Sequence, residues 1–170
     1  MPGKNKKNEA TTADQVLRVI VAGPDDWRGS VAKRIRTDGR FTVVGEIEAD
    51  VNVVEIARVH SADVLVSTVD PEFVAPATKL AIALQKNIPA LAVVLVLPPM
   101  HGDELSGLVG YRSVWSMVTT GTCEDTEKFI EVLWSACRGM IWIDPAMFRR
   151  LNEVRAVSKR RSTPVAGFNL

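Results

Sequence analysis

Residues 91–97 read LAVVLVL and are closed by Pro98-Pro99. A run with no polar side to turn to water fits a strand covered on both faces, as in the middle of a parallel sheet. Working outward, the same kind of run recurs as ADVLVST (62–68), FTVVGEI (41–47) and VLRVIVA (16–22) toward the amino terminus. SVWSMV (113–118) follows toward the carboxyl terminus. Stretches with helical spacing lie between these runs. Residues 27–38 place Val31, Ala32 and Ile35 on one side before Gly39; residues 51–60 do so with Val51, Val54, Ile56 and Ala57 behind Asp50, a candidate N-cap. Residues 74–86 carry Leu80, Ile82 and Leu84, and a short helix is expected around 103–110. Residues 124–138 align Phe129, Ile130, Val132, Leu133, Ala136 and Cys137 in one stripe, with Gly139 as the stop. MIWID (140–144), Pro145 and a last amphipathic segment follow. Five strand–helix units predict an α/β fold with a doubly wound parallel sheet. Ligands of such sheets gather at the carboxyl ends of the strands, here Gly23–Asp26, Thr68–Pro71, Val96–Pro99 and Val118–Cys123.

The chain has 170 residues, 46% apolar and 24% charged, which suits one domain with tails. No apolar run reaches the roughly 18 residues of a membrane span. Two cysteines make no disulfide framework, so a reducing, cytoplasmic setting is expected. The net charge of +1 conceals a basic segment, 149–161, at +5 and a body, 15–148, at −5. An acidic body repels nucleic acid, so any contact with a polyanion would fall to the basic segment. Its first expectation is a solvated linker helix. The boundaries read as a basic disordered tail over 1–14, a domain over 15–144, a linker helix over 145–161 and a disordered tail over 162–170.

LRVIVAG (17–23), FTVVGEIEADVNVVEIAR (41–58), HSADVLVSTV (60–69) and FIEVLWSACRGMIWIDPAMFRRL (129–151) resemble, in order and spacing, a CheY-like response-regulator receiver domain of the NarL/LuxR type. The resemblance implies a sheet of order 2-1-3-4-5. It also implies a Mg²⁺-dependent phosphoryl-acceptor site built from two acids after the first strand, an acceptor Asp after the third, a Thr or Ser after the fourth and a Lys after the fifth. The ungapped match puts Gly23 and Pro24 at the acidic pair, Thr68 at the acceptor, Val96 at the fourth-strand position and Thr122 nearest the lysine, with about five residues inserted beside it. All five depart from the pattern. Thr68 cannot form an acyl phosphate, and Mg²⁺ is held weakly without carboxylates. The expectation is a pseudo-receiver with no metal, no cofactor and no catalytic residue. In an alternative match, two residues inserted after Ala22 gather Asp25, Asp26 and Asp70 into a shifted acidic pocket.

The expected role is protein–protein interaction in a transcriptional regulator, above all homodimerisation, with DNA contacted only through a domain absent from this chain. The resemblance places Trp115 and Trp134 near the face receivers use to dimerise; the competing expectation for both is core. A regulatory partner protein is a further expected ligand, as is a neutral small molecule over a cleft of Thr68, Val96, Pro98 and Trp27. Two other readings stay open. One is an interaction or localisation module like the receiver-like part of pilus-assembly ATPases. The other is a small enzyme using Asp25, Asp26, Asp70 or Cys123 at the strand ends. No P-loop or GxGxxG pattern occurs. His60 and His101 have no ligand-bearing neighbours and read as surface or helix-end residues. Cys137 reads as core, Cys123 as an unreactive thiol, and Asp125 as an N-cap.

Overall fold

The computed structural model describes residues 15–48, 52–69, 80, 82–84, 86–99, 115–149 and 152–153. LRVIVA forms β1 (Leu17–Ala22), followed by α1 (Asp25–Ile35), β2 (Phe41–Ile47), α2 (Val53–Val59) and β3 (Val64–Thr68). β4 (Ala92–Leu97), β5 (Ser116–Thr119), a single-turn α3 (Thr120–Glu124) and α4 (Thr126–Cys137) complete the order. Described residues between 80 and 87 are helical, as are 145–149 and 152–153. The strands pair in parallel in the order β2-β1-β3-β4-β5. The expected doubly wound five-stranded sheet is therefore present, with its 2-1-3-4-5 order.

The apolar strands sit where their composition sends them. Val93 to Leu97 are all buried, and so are Val64 to Ser67. One face of the sheet packs on α1 through Val31, Ala32 and Ile35 and on α4 through Phe129, Val132 and Leu133. The other face holds two clusters, one around Ile20, Leu65, Val53 and Leu84, the other around Leu95, Leu97, Trp115 and Met117. Each fully buried Leu, Ile, Val or Phe contributes about 1.5–3 kcal/mol.

Several boundaries moved for identifiable reasons. α1 begins at Asp25, because Pro24 suits the position before a helix and two acids suit its first turn. β5 begins at Ser116 rather than Ser113, and α3 was not foreseen, because TTGTC carries no apolar period. The Thr119 hydroxyl caps α3 by accepting from Thr122 N–H at 3.3 Å. Asp125 is the N-cap of α4, its carboxylate accepting from Lys128 N–H at 3.2 Å. Gly139 ends α4 in the left-handed region, φ +77°. There Met140 N–H reaches Ser135 O and Gly139 N–H reaches Ala136 O, both at 3.0 Å, the paired bonds of a glycine helix stop. Asp50, Asp70, His101, the 103–110 helix, both proposed tails and most of the linker lie outside the described residues.

Candidate functional site

The carboxyl ends of β1 and β3 bring Gly23 and Thr68 together, as the match requires. Gly23 is buried, and its N–H donates to Ile47 O at 3.0 Å. A Cβ at Gly23 would lie 2.7 Å from Trp27 Cε3 and 3.0 Å from Thr68 Cγ2. The first contact is shorter than real Cβ atoms show and the second is tighter than most, so a carboxylate at this position requires the indole and the methyl to shift. Glycine is required here by close approach. The Thr68 hydroxyl donates to Val96 O at 3.2 Å, while Val96 itself is core. Of the four residues expected to line a cleft for a neutral molecule, Trp27 and Thr68 themselves take the space beside Gly23.

The acids at this end lie on the helix surface. Asp25 and Asp26 lie exposed in the first turn of α1, where the helix dipole favours them without any metal. Asp25 pairs with Arg28, and Arg28 Nη1 also donates to Gly23 O at 2.9 Å. A guanidinium thus rests on the carbonyl that ends β1. A divalent cation there would meet a positive charge and few hard oxygen ligands. Among the described residues no three His, Cys, Asp or Glu side chains converge in a way that could hold a metal. Asp70, the third member of the alternative acidic pocket, lies outside them.

At the β5 end, the strand finishes on Thr119, and Thr122 lies beyond it, buried in α3. The residue that sequence reasoning missed is Asp144, only 3% exposed. Its Oδ2 accepts from Thr119 N–H at 2.6 Å and Thr119 Oγ1 at 2.9 Å, and its Oδ1 from Trp142 Nε1 at 3.4 Å. Burial alone would raise its pKa. The Thr119 amide, the Thr122 and Thr119 hydroxyls and the Trp142 indole outweigh burial and hold the carboxyl below its ordinary value of 3.8. The available signal was an Asp before Pro145 closing an apolar run, the pattern of a helix start.

Trp115 is 2% exposed within the cluster of Leu97 and Met117, so its ring is core, the competing expectation for it. The strand was placed three residues early, which put Trp115 in mid-strand instead of just before β5. Trp134 is half-buried on α4, with the guanidiniums of Arg40 and Arg138 at 4.9 and 4.8 Å from its ring centroid and the Phe41 ring edge-to-face with it, centroids 6.4 Å apart. Burial pushes the buried Cys123 thiol up to about 11 and the Cys137 thiol to about 12, so both stay protonated and poorly nucleophilic at neutral pH. His60 closes α2 at its C-cap position.

No protein-family model and no curated protein sequence matches the chain. Solved structures do. The receiver domain of RcsB from Salmonella enterica serovar Typhimurium, in the presence of phosphomimetic BeF3⁻, superposes with a TM-score of 0.62 at 17% identity, over 79% of this chain and 98% of that one. A two-component response regulator of the LuxR family from Aurantimonas sp. SI85-9A1 gives 0.66 at 12% identity, over 84% and 99%. The fold is that of a response-regulator receiver domain. The receiver domain of the response regulator NarL from Mycobacterium tuberculosis agrees, with 0.58 at 16% identity over 74% and 98%. No helix among the described residues is long and apolar enough to cross a membrane.

Proposed function

We propose that this receiver fold works without phosphorylation, as an interaction domain of a NarL/LuxR-type transcriptional regulator in the cytoplasm. One observation carries the reading: of the two positions matching the acidic pair, the first is a buried glycine with Trp27 and Thr68 packed over it and an arginine on its carbonyl, and the second is Pro24. Restoring an acid there would require those side chains to move first. Thr68 spends its hydroxyl on the next strand, and Val96 has none to offer. With no phosphoryl group to favour one state, signalling would pass to binding partners, since only a differential ligand shifts a conformational equilibrium.

The partner we favour is a second copy of the chain, through the outer face of α4 around Trp134. One neighbouring structure is described as two RcsB dimers bound to two parallel DNAs; it aligns with 80% of this chain and 68% of that one at 18% identity and a TM-score of 0.62. In this chain, DNA binding would belong to a domain outside residues 1–170. The domain boundaries we propose are a receiver over 15–144 and a linker over 145–161.

The test is incubation with Mg²⁺ and either beryllofluoride or acetyl phosphate, followed by ¹⁹F NMR and intact mass. The expected result is no adduct and no change in sedimentation. A stoichiometric adduct on Asp25, Asp26 or Asp70 overturns phosphorylation independence. A sedimentation coefficient that stays monomeric up to about 100 μM overturns the dimer, since useful dimers form in the micromolar range or below.

A further inference from the structure

β5 is the last strand of the sheet, and a bare outer edge invites pairing with another chain. Here the edge is covered by the chain itself. Past Gly139, Met117 N–H donates to Trp142 O at 2.7 Å and Asp144 N–H donates to Met117 O at 3.0 Å, so Ile143 forms one parallel bridge with Met117. Trp142 N–H donates to the buried Ser116 hydroxyl at 2.9 Å, and the Asp144 carboxylate takes Thr119 N–H. The chain then turns at Pro145 into the helical residues 145–149. Met147 is buried there, in the cluster of Leu95, Leu97 and Trp115. α4 packs on the opposite face of the sheet. The segment therefore passes round the end of the sheet from one face to the other, and Met140, Ile141 and Phe148 stay about half exposed on it.

Its backbone pairing with β5 is one isolated bridge, supplemented by the Trp142 N–H bond to Ser116, the Asp144 carboxylate and the packing of Trp142, Ile143 and Met147. β1 and β3, by contrast, are paired along both sides. A segment held so sparingly at an edge opens at lower free energy than the central strands. We propose that residues 140–149 are a strap, locked by Asp144 and plugged by Met147, that opens as a unit while the sheet stays folded. Closed, it hides the β5 edge. Open, it exposes that edge. This stands apart from the question of phosphorylation, since it concerns only the exit of the chain from the domain.

Native-state hydrogen exchange of the wild-type chain at low denaturant is the first test. The amides of Met117, Thr119, Trp142 and Asp144 should share one opening, with protection at least about tenfold below that of Val21 and Val66 and with little denaturant dependence. Asp144→Asn and Met147→Ala should each speed exchange of the four strap amides by about tenfold or more and leave Val21 and Val66 unchanged. Strap amides that exchange only with the central strands overturn the proposal. So does either variant if it leaves their rates untouched or raises all rates equally. Should a variant fail to fold, the wild-type experiment decides alone.

Discussion

At the β1 end of the strand rim, Asp25 is a carboxylate with 78% of its side chain exposed, facing a partly exposed arginine. At the β5 end, Asp144 is almost wholly buried and takes hydrogen bonds from an amide, a threonine hydroxyl and an indole. The two groups are chemically the same. What differs is the supply of donors. A carboxylate withdrawn from water persists only where fixed donors replace its hydration. β5 and its cover provide them. Beside Gly23 the space is filled with an indole and a methyl group, and no acid is found there among the described residues.

Removing the buried acid should break this contrast most severely. Asp144→Ala leaves Thr119 N–H and the Trp142 indole without their acceptor and should cost about 3 kcal/mol, read from the urea midpoint. Gly23→Ala comes next, at about 2 kcal/mol, because its methyl must push against Trp27 and Thr68. A double-mutant cycle sharpens that claim: in a Trp27→Ala background the Gly23→Ala penalty should fall by more than half. A penalty that persists would mean the backbone, not crowding, demands glycine.

Acid separates the two ends more gently. A carboxyl whose folded pKa is depressed stabilises fully above its unfolded value and loses that contribution as pH falls through the folded one. For Asp144 the loss begins near its ordinary 3.8 and continues below it. Asp38, held low by its hydrogen bond to Arg40 although burial opposes the shift, loses stability in the same range. Stability between pH 6 and 2 should therefore fall less steeply in Asp144→Asn than in the wild type. The smallest effect belongs to Asp25→Asn, expected to change stability by less than about 0.5 kcal/mol, since exposed ion pairs contribute little.

The sheet was legible because its strands are apolar throughout and its helices are not. LAVVLVL allows few other placements, and Gly139 and Asp125 announced the ends of α4 as capping residues do. Gly23, Pro24, Thr68 and Val96 were picked out by the receiver resemblance, and the structure sets Gly23 beside Thr68. Trp27 was expected beside Thr68; Arg28 was not, because a helix surface period says nothing about which side chain folds back over the preceding turn. Asp144 was missed, and the choice between core and surface for Trp115 stayed open, for a related reason. Whether a tryptophan or an aspartate is buried depends on a segment, 140–149, that wraps the sheet from far along the chain. α3 escaped notice because threonine and glycine carry neither period.

Gly139 lies at φ +77°, yet nothing stands within 4 Å of where its Cβ would be. The demand at this position is one of handedness alone. An L-alanine would strain a backbone that has ample room for it, by about 1 kcal/mol, whereas a D-alanine introduced by chemical ligation would fit and stiffen the unfolded chain. A mirror-image residue at this single corner would thus hold the path of the wrapping segment more firmly than any encoded one.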